Sequence, residues 1–500
     1  MAAVVAVLFV LVSLAAVVSG PAISRIARQR LIAGLREHFG SHVSLGDLKI
    51  SLFPQIVATG ESVVFRKEGS GDAPPLIQVR RFTARTGFLA ILAGHVSVVT
   101  VEGLNIQVPP QEPQPPQQSR PGSKLSRSVV IDELIADGTK LTVFPKDPAK
   151  EPLEFDIQQL RMQKVSADTS MPFQAVLMNA KPPGLINSQG RFGPWNKEDP
   201  GDTPVAGQYT FRDADLSVFK GIAGTLSSDG KYQGVLQHIE ADGTTDVPNF
   251  TVQISGNPVH LVTQFHAVID GTNGSTLLQP VNAQFGHSAV TASGSVEGKK
   301  GQGKTVSLDI IVNQGRLEDM LKLAMNTKTA MMNGAIAFRA KLVIPPGTEA
   351  VPEKINLTGV FNVGDAKFSQ LNVQEKLNEI SHRGEGQPKE PDTDPVVSDF
   401  RGRFTVRAGV LSVQNVSFNV PGIDVAVNGS YQLMQHEMDF HCDAKLQAKI
   451  SQTTTGFKSF LLKALDPLFK KKNVGAEIPF KVTGDPSKPS IGLDLFHNKP

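Results

Sequence analysis

The stretch IDVAVNGSYQL, Ile423 to Leu433, decides how this chain is read. Ile423, Val425, Val427, Gly429, Tyr431 and Leu433 occupy every second position, with Asp424, Asn428, Ser430 and Gln432 between them. Neighbouring side chains of a strand point to opposite faces, so this period of two means one dry face and one wet one. The pattern recurs outward in both directions. Phe404, Val406 and Ala408 alternate with Arg403, Thr405 and Arg407, and Ile336, Phe338, Ala340 and Leu342 are opposed by Arg339 and Lys341. Val306, Leu308, Ile310 and Val312 form another row, and Leu104, Ile106 and Val108 and Leu48, Ile50 and Leu52 extend it towards the N-terminus. Alternation of this kind is typical of antiparallel sheet. Asp242-Gly243, Asn273-Gly274 and Asn428-Gly429 read as turn signals between strands.

Composition agrees. The 45 glycines and 34 prolines favour many turns over long helices. Basic and acidic residues nearly cancel at 50 and 47, so no general attraction to nucleic acid follows. A single cysteine, Cys442, excludes an intramolecular disulfide framework and a multi-cysteine metal site. With 27 phenylalanines but only 3 tyrosines and 1 tryptophan, the apolar surfaces lack the polar tips common at aromatic recognition sites.

A few stretches depart from strand patterning. Ala2 to Val18 carries neither charge nor proline, and at about 1.5 Å per residue it just crosses the roughly 30 Å core of a bilayer. Pro21 after Gly20 spoils the most obvious cleavage site and no basic residue precedes Leu8, which favours an anchor over a cleaved signal peptide. Cleavage after Ser19 stays open. Arg25, Arg28 and Arg30 would place their side in the cytoplasm by the positive-inside rule; the body's composition suits export better. Helices are expected over Ile23–Phe39, Arg316–Ala324 and Leu371–Ser381. A fourth, amphipathic helix is expected over 455–469: Phe457, Phe460, Leu461 and Leu465 share its apolar face, and Lys470, Lys471 and Lys472 follow, suited to anionic headgroups or to a solvated helix end. The expected segments are an anchor over 1–20, a helix and β region over 21–108, a proline-rich linker over 109–126, a central β region over 127–315 and a C-terminal β region over 316–500.

No chemical motif stands up. Gly298 to Thr305 matches the phosphate-loop spacing, but such a loop must open a helix, and here strand alternation resumes at Val306. His436 and His441 are one residue too far apart for a zincin, and on a strand they face opposite sides. Cys442 has no readable catalytic partner. No cofactor, metal site or enzymatic step is expected.

So many dry strand faces leave two solutions, a sheet folded on itself as a sandwich or one curled into an apolar trough. Twenty or more strands at about 4.8 Å would make a trough on the order of 100 Å long.

Three stretches together resemble the AsmA family of membrane-anchored proteins of Gram-negative bacteria. The first is HVSLGDLKISLFPQIVATGESVVF, His42 to Phe65, after the anchor and a short helix; it continues in Pro74 to Val108 around a short helical turn. The second is Asp399 to Leu433, similar to the family's C-terminal repeat; the third is IPFKVTGDPSKPSIGLDL, Ile478 to Leu495, similar to its closing strands. They cover about 200 residues at the two ends. The chain departs from the family in lacking a basic leader and in its proline-rich insert. The resemblance implies a mainly β fold, an elongated, curled antiparallel β-sheet groove with a few short helices and one N-terminal transmembrane helix. It also implies an inner-membrane anchor, a periplasmic body, and a non-enzymatic role in binding or conducting phospholipid acyl chains during outer-membrane biogenesis. Candidate groove residues are Phe404, Val406, Ile423, Val425, Val427 and Tyr431; partners would be phospholipids, the inner membrane and other envelope proteins. The alternative is a scaffold of the cell envelope with a closed β core.

Overall fold

A computed structural model describes residues 41–53, 55–67, 75–108, 130–166, 168–196, 199–327, 329–369, 398–446 and 477–494, with Gln29, Gln374 and Asn378 singly. The expected anchor, the helix over 455–469, the proline-rich stretch and Lys470, Lys471 and Lys472 lie outside the described residues, as do the helices over Ile23–Phe39 and Leu371–Ser381 apart from Gln29, Gln374 and Asn378. Phe457, Phe460, Leu461 and Leu465 do so too. Among the described residues, no helix is long and apolar enough to cross a membrane.

Among the described residues, twenty-six strands form one sheet. From Ile56–Lys67 onward the strands follow one another across the sheet in sequence order, ending at Glu477–Gly484 and Ser490–Leu493, except that the two-residue strand Ile222–Ala223 pairs with His238–Val252, end to end with Thr225–Val235. Two places carry a pair of short strands end to end: Ser41–Ser44 and Leu48–Ser51 against Ile56–Lys67, and Val130–Asp137 and Thr139–Val143 against Leu153–Val165. The expected helix at 316–324 is present as Leu317–Ala324.

The sheet is mixed, which corrects the wholly antiparallel expectation. His95–Val108 runs parallel to Val130–Asp137 and to Thr139–Val143. Parallel neighbours need a crossover of a dozen or more residues, and residues 109–129 supply that length. The proline-rich run therefore marks the point where the alternation of strand direction is interrupted within one sheet.

Two of the three turn signals are also corrected. Asn273-Gly274 does sit in a turn, with the Gly274 N–H donating to Asp270 O at 2.7 Å. Asp242-Gly243 lies inside the strand His238–Val252, and Asn428-Gly429 inside Ile423–Gln432. The reason is an aromatic ring on the neighbouring strand. A Cβ on Gly243 would stand 2.8 Å from the Phe265 ring, and one on Gly429 2.8 Å from the Phe440 ring. Phe82 over Gly60, Tyr209 over Gly230 and Phe404 over Gly359 repeat the arrangement. A ring laid across a bare glycine covers backbone that would otherwise be wet.

Sheet twist explains a second non-local feature, contacts between opposite edges. The loop before Leu153 meets turns about eight strands further on: Lys300 N–H donates to Ala149 O at 2.7 Å, Gly301 N–H to Glu151 Oε1 at 3.1 Å, and Lys150 reaches Glu297 at 3.4 Å. The loop before Ile222 meets the short helix Val351–Lys354 in the same way, with Val351 N–H donating to Lys220 O at 2.7 Å. Ile254 and the helix end at Leu321, Ala324 and Met325 join a third such contact, in one cluster with Ile355, Val406, Tyr431, Leu433 and Met438. About eight strands, at about 20–25° of twist each, turn the sheet by roughly half a circle, which carries one edge round to the other.

Helix Leu317–Ala324 is held by a buried carboxylate. Asp319, 3% exposed, accepts the His287 N–H and the Ser288 hydroxyl, each at 2.8 Å. Ser288 Oγ in turn accepts from Arg316 N–H at 2.9 Å. Asp319→Ala strands these donors and should cost about 2–3 kcal/mol, read as a lowered urea midpoint. Asp319→Asn keeps an acceptor there and should lose less; equal losses would refute this role.

Candidate functional site

Burial divides the sheet's apolar face into three stretches. At the N-terminal end the face is sealed: Val43, Val99, Ile131, Leu134, Met162 and Val165 belong to one cluster that extends to Met171 and Ala175. Near the C-terminal end smaller clusters cover it again. Between them, over roughly Gly184 to Val312, the same face is mostly half-buried and alternates with exposed residues on every strand.

That face is continuous across strands. One register line runs Tyr209, Gly230, Gly243, Phe265, Val281, Ala292, Ile310, Ala340, Gly359, Phe404, Val413, Gly429, Phe440, Val482 and Ile491. Every member is apolar, aromatic or glycine. Parallel lines beside it include Leu278, Gly294, Leu308, Leu342, Leu357 and Val406. Since the rings lie over glycines, the line stays low, and the face forms an even apolar floor.

Tyrosine tips on this face are satisfied. Tyr209 bonds to Ser228 at 3.0 Å, Tyr232 to Ser188 at 2.7 Å and Tyr431 to His436 at 3.1 Å. Burial pushes all three phenols above their ordinary pKa, so they present neutral surface at physiological pH.

The six candidate groove residues all lie on this face, in different settings. Val406, at 7% exposed, and Tyr431, at 3%, sit in the cluster that the edge contact closes. Ile423 and Val425, with Val427 packed against them, form a second cluster around Cys442. Phe404 packs between the rings of Phe338 and Phe361, at centroid distances of 6.2 and 6.1 Å. Four of the six are thus covered by other side chains. The half-buried floor lies earlier, at Leu261, Phe265, Leu278, Val281, Val290 and Leu308; of these, sequence alternation singled out Leu308.

The remaining motifs are occupied structurally. Gly298 to Thr305 forms a hairpin turn in which Lys299 pairs with Gly303. His441 pairs with Asp494 at 2.5 Å, away from His436, and among the described residues no group of three His, Cys, Asp or Glu is arranged to hold a metal. Burial, helped by the charges of Asp443 and Asp494, pushes the Cys442 thiol up to about 12. A thiolate is the reactive form, so Cys442 should resist iodoacetamide at pH 8 and react only once urea unfolds the protein. Prompt native labelling would contradict its buried setting. On the polar face, a shallow hollow of about 440 Å³ is lined by Val360, Arg401, Arg403, Asn415 and Ser417.

Among the described residues, fold and floor together define a single sheet with one continuous apolar face, half-buried in the middle and covered at both ends. No protein-family model, curated protein or solved structure matches the chain.

Proposed function

We propose that this chain is an inner-membrane-anchored periplasmic protein of the AsmA type that binds or conducts phospholipid acyl chains along the apolar face of its sheet, in outer-membrane biogenesis. The face works as an elongated, curled groove. Hydrocarbon replaces water on the floor while headgroups stay at the open side, and no bond is made or broken. The observation that carries the reading is the half-buried middle of a face that is unbroken across strands. A lone sheet with that much unsealed apolar surface gains about 25 cal/mol for each Å² that a lipid tail covers.

Support also comes from the edge contacts, which hold the sheet in a curl, and from the low floor that the ring-over-glycine pairs leave. The covered N-terminal and C-terminal stretches favour the second reading, an envelope scaffold with a closed β core. A photo-crosslinking residue separates the two. At Val281, on the floor, it should capture phospholipid in cells; at Val262, 39% exposed on the opposite face, it should not. Capture of protein alone at both positions would leave the scaffold standing and remove the lipid groove.

A further inference from the structure

Two adjoining loops at one edge of the sheet expose large apolar side chains. Phe53 is 87% exposed, Leu89 83% and Phe88 52%. Ile56 pairs with Thr86, so the turn before Ile56 and the helix Phe88–Leu92 after Thr86 project from the same edge, side by side. That helix, FLAIL, has no charged residue. Exposed apolar side chains scattered singly are ordinary, but three on two loops that leave paired strands at the same end make a patch that folding does not explain. Lys49 and Arg85 stand exposed just behind it, the order of groups found where an apolar surface enters lipid beneath anionic headgroups.

We infer that Phe53, Phe88 and Leu89 insert into the interfacial layer of a lipid bilayer and seat this end of the sheet on the membrane. The bilayer is within reach. Ser41 pairs with Lys67, at the far end of the strand Ile56–Lys67 from Phe53, and that strand is about 40 Å long. Residues 19–40, between the apolar segment Ala2 to Val18 and Ser41, span up to about 70 Å when extended. A chain tethered by Ala2 to Val18 can therefore bring this edge down to the same bilayer. The inference rests on the anchored reading for the position of the bilayer and is independent of the groove.

The test uses the full chain, reconstituted into phosphatidylcholine–phosphatidylglycerol vesicles. Trp195 is the sole tryptophan, so Trp195→Phe gives a silent background into which Leu89→Trp is introduced. Its emission should shift to the blue and lose most of its intensity when the vesicles carry brominated acyl chains. Val360→Trp, at an exposed site on the polar face, should show neither effect. Flotation of the protein without quenching at position 89 overturns the seated edge alone; failure to float overturns both it and the anchor. Quenching equal at positions 89 and 360 would mean general adsorption and would also overturn it.

Discussion

Leu308→Glu is expected to abolish phospholipid retention while leaving the protein folded. Leu308 lies on the open floor, paired with Gly294 on one side and Leu342 on the other, and is half-buried in the free protein. There a carboxylate stays hydrated at little cost. Under a bound acyl chain it would be an unpaired buried charge, worth several kcal/mol against binding, or a loss of at least about a hundredfold in affinity. Ile311→Glu, on the same strand but the opposite face and 36% exposed, is the matching control and should change nothing. The measurement is phospholipid per protein by mass spectrometry of the purified membrane-extracted chain, with circular dichroism to check folding. Retention by folded Leu308→Glu at the level of the unaltered chain would sink the lipid groove.

Gly429→Val is expected to cost about 2–4 kcal/mol, through strain at a backbone conformation reserved for glycine and overpacking of its neighbours. Gly429 has φ +155°, and a Cβ there would stand 2.3 Å from Asp439 O and 2.6 Å from Phe440 Cα. Backbone cannot step aside as a side chain can, so the pairing of Ile423–Gln432 with Glu437–Leu446 must give. Gly492→Ala is the contrast. Nothing lies within 4 Å of a Cβ at that position, and the change should be neutral or slightly stabilising, since alanine narrows the unfolded ensemble. Urea denaturation of both variants checks the pair, and similar midpoints would show that the ring-over-glycine arrangement is not a structural requirement.

The strands themselves were legible because alternation is local. Val306 to Val312, Ile336 to Leu342 and Ile423 to Leu433 all lie in strands whose dry residues share one face. The glycines inside strands were not legible as such. Asn428-Gly429 carries the chemistry of a turn, and only the ring of Phe440, supplied by the next strand, makes it a strand interior. Nor was the covering of Val406 and Tyr431, because it depends on Ile254 and Met325 arriving from the opposite edge. Alternation identifies which side of a strand is dry but carries no information about what lies over it. The open floor around Phe265 and Val281 was missed for a related reason: a bulge in the strand Thr276–Phe285, between Leu278 and Val281, puts its period of two out of step, and Thr263 breaks the apolar row that holds Leu261 and Phe265.

The recurrence of the edge-to-edge contacts also limits how such a molecule can change in size. Adding or deleting one hairpin would rotate everything beyond it by about 40–50°, pulling Glu151 away from Gly301 and Lys220 away from Val351. Relatives of different length are therefore expected to differ at the ends, or by enough hairpins to bring the loops back into phase, rather than by a single hairpin inserted between two contacts.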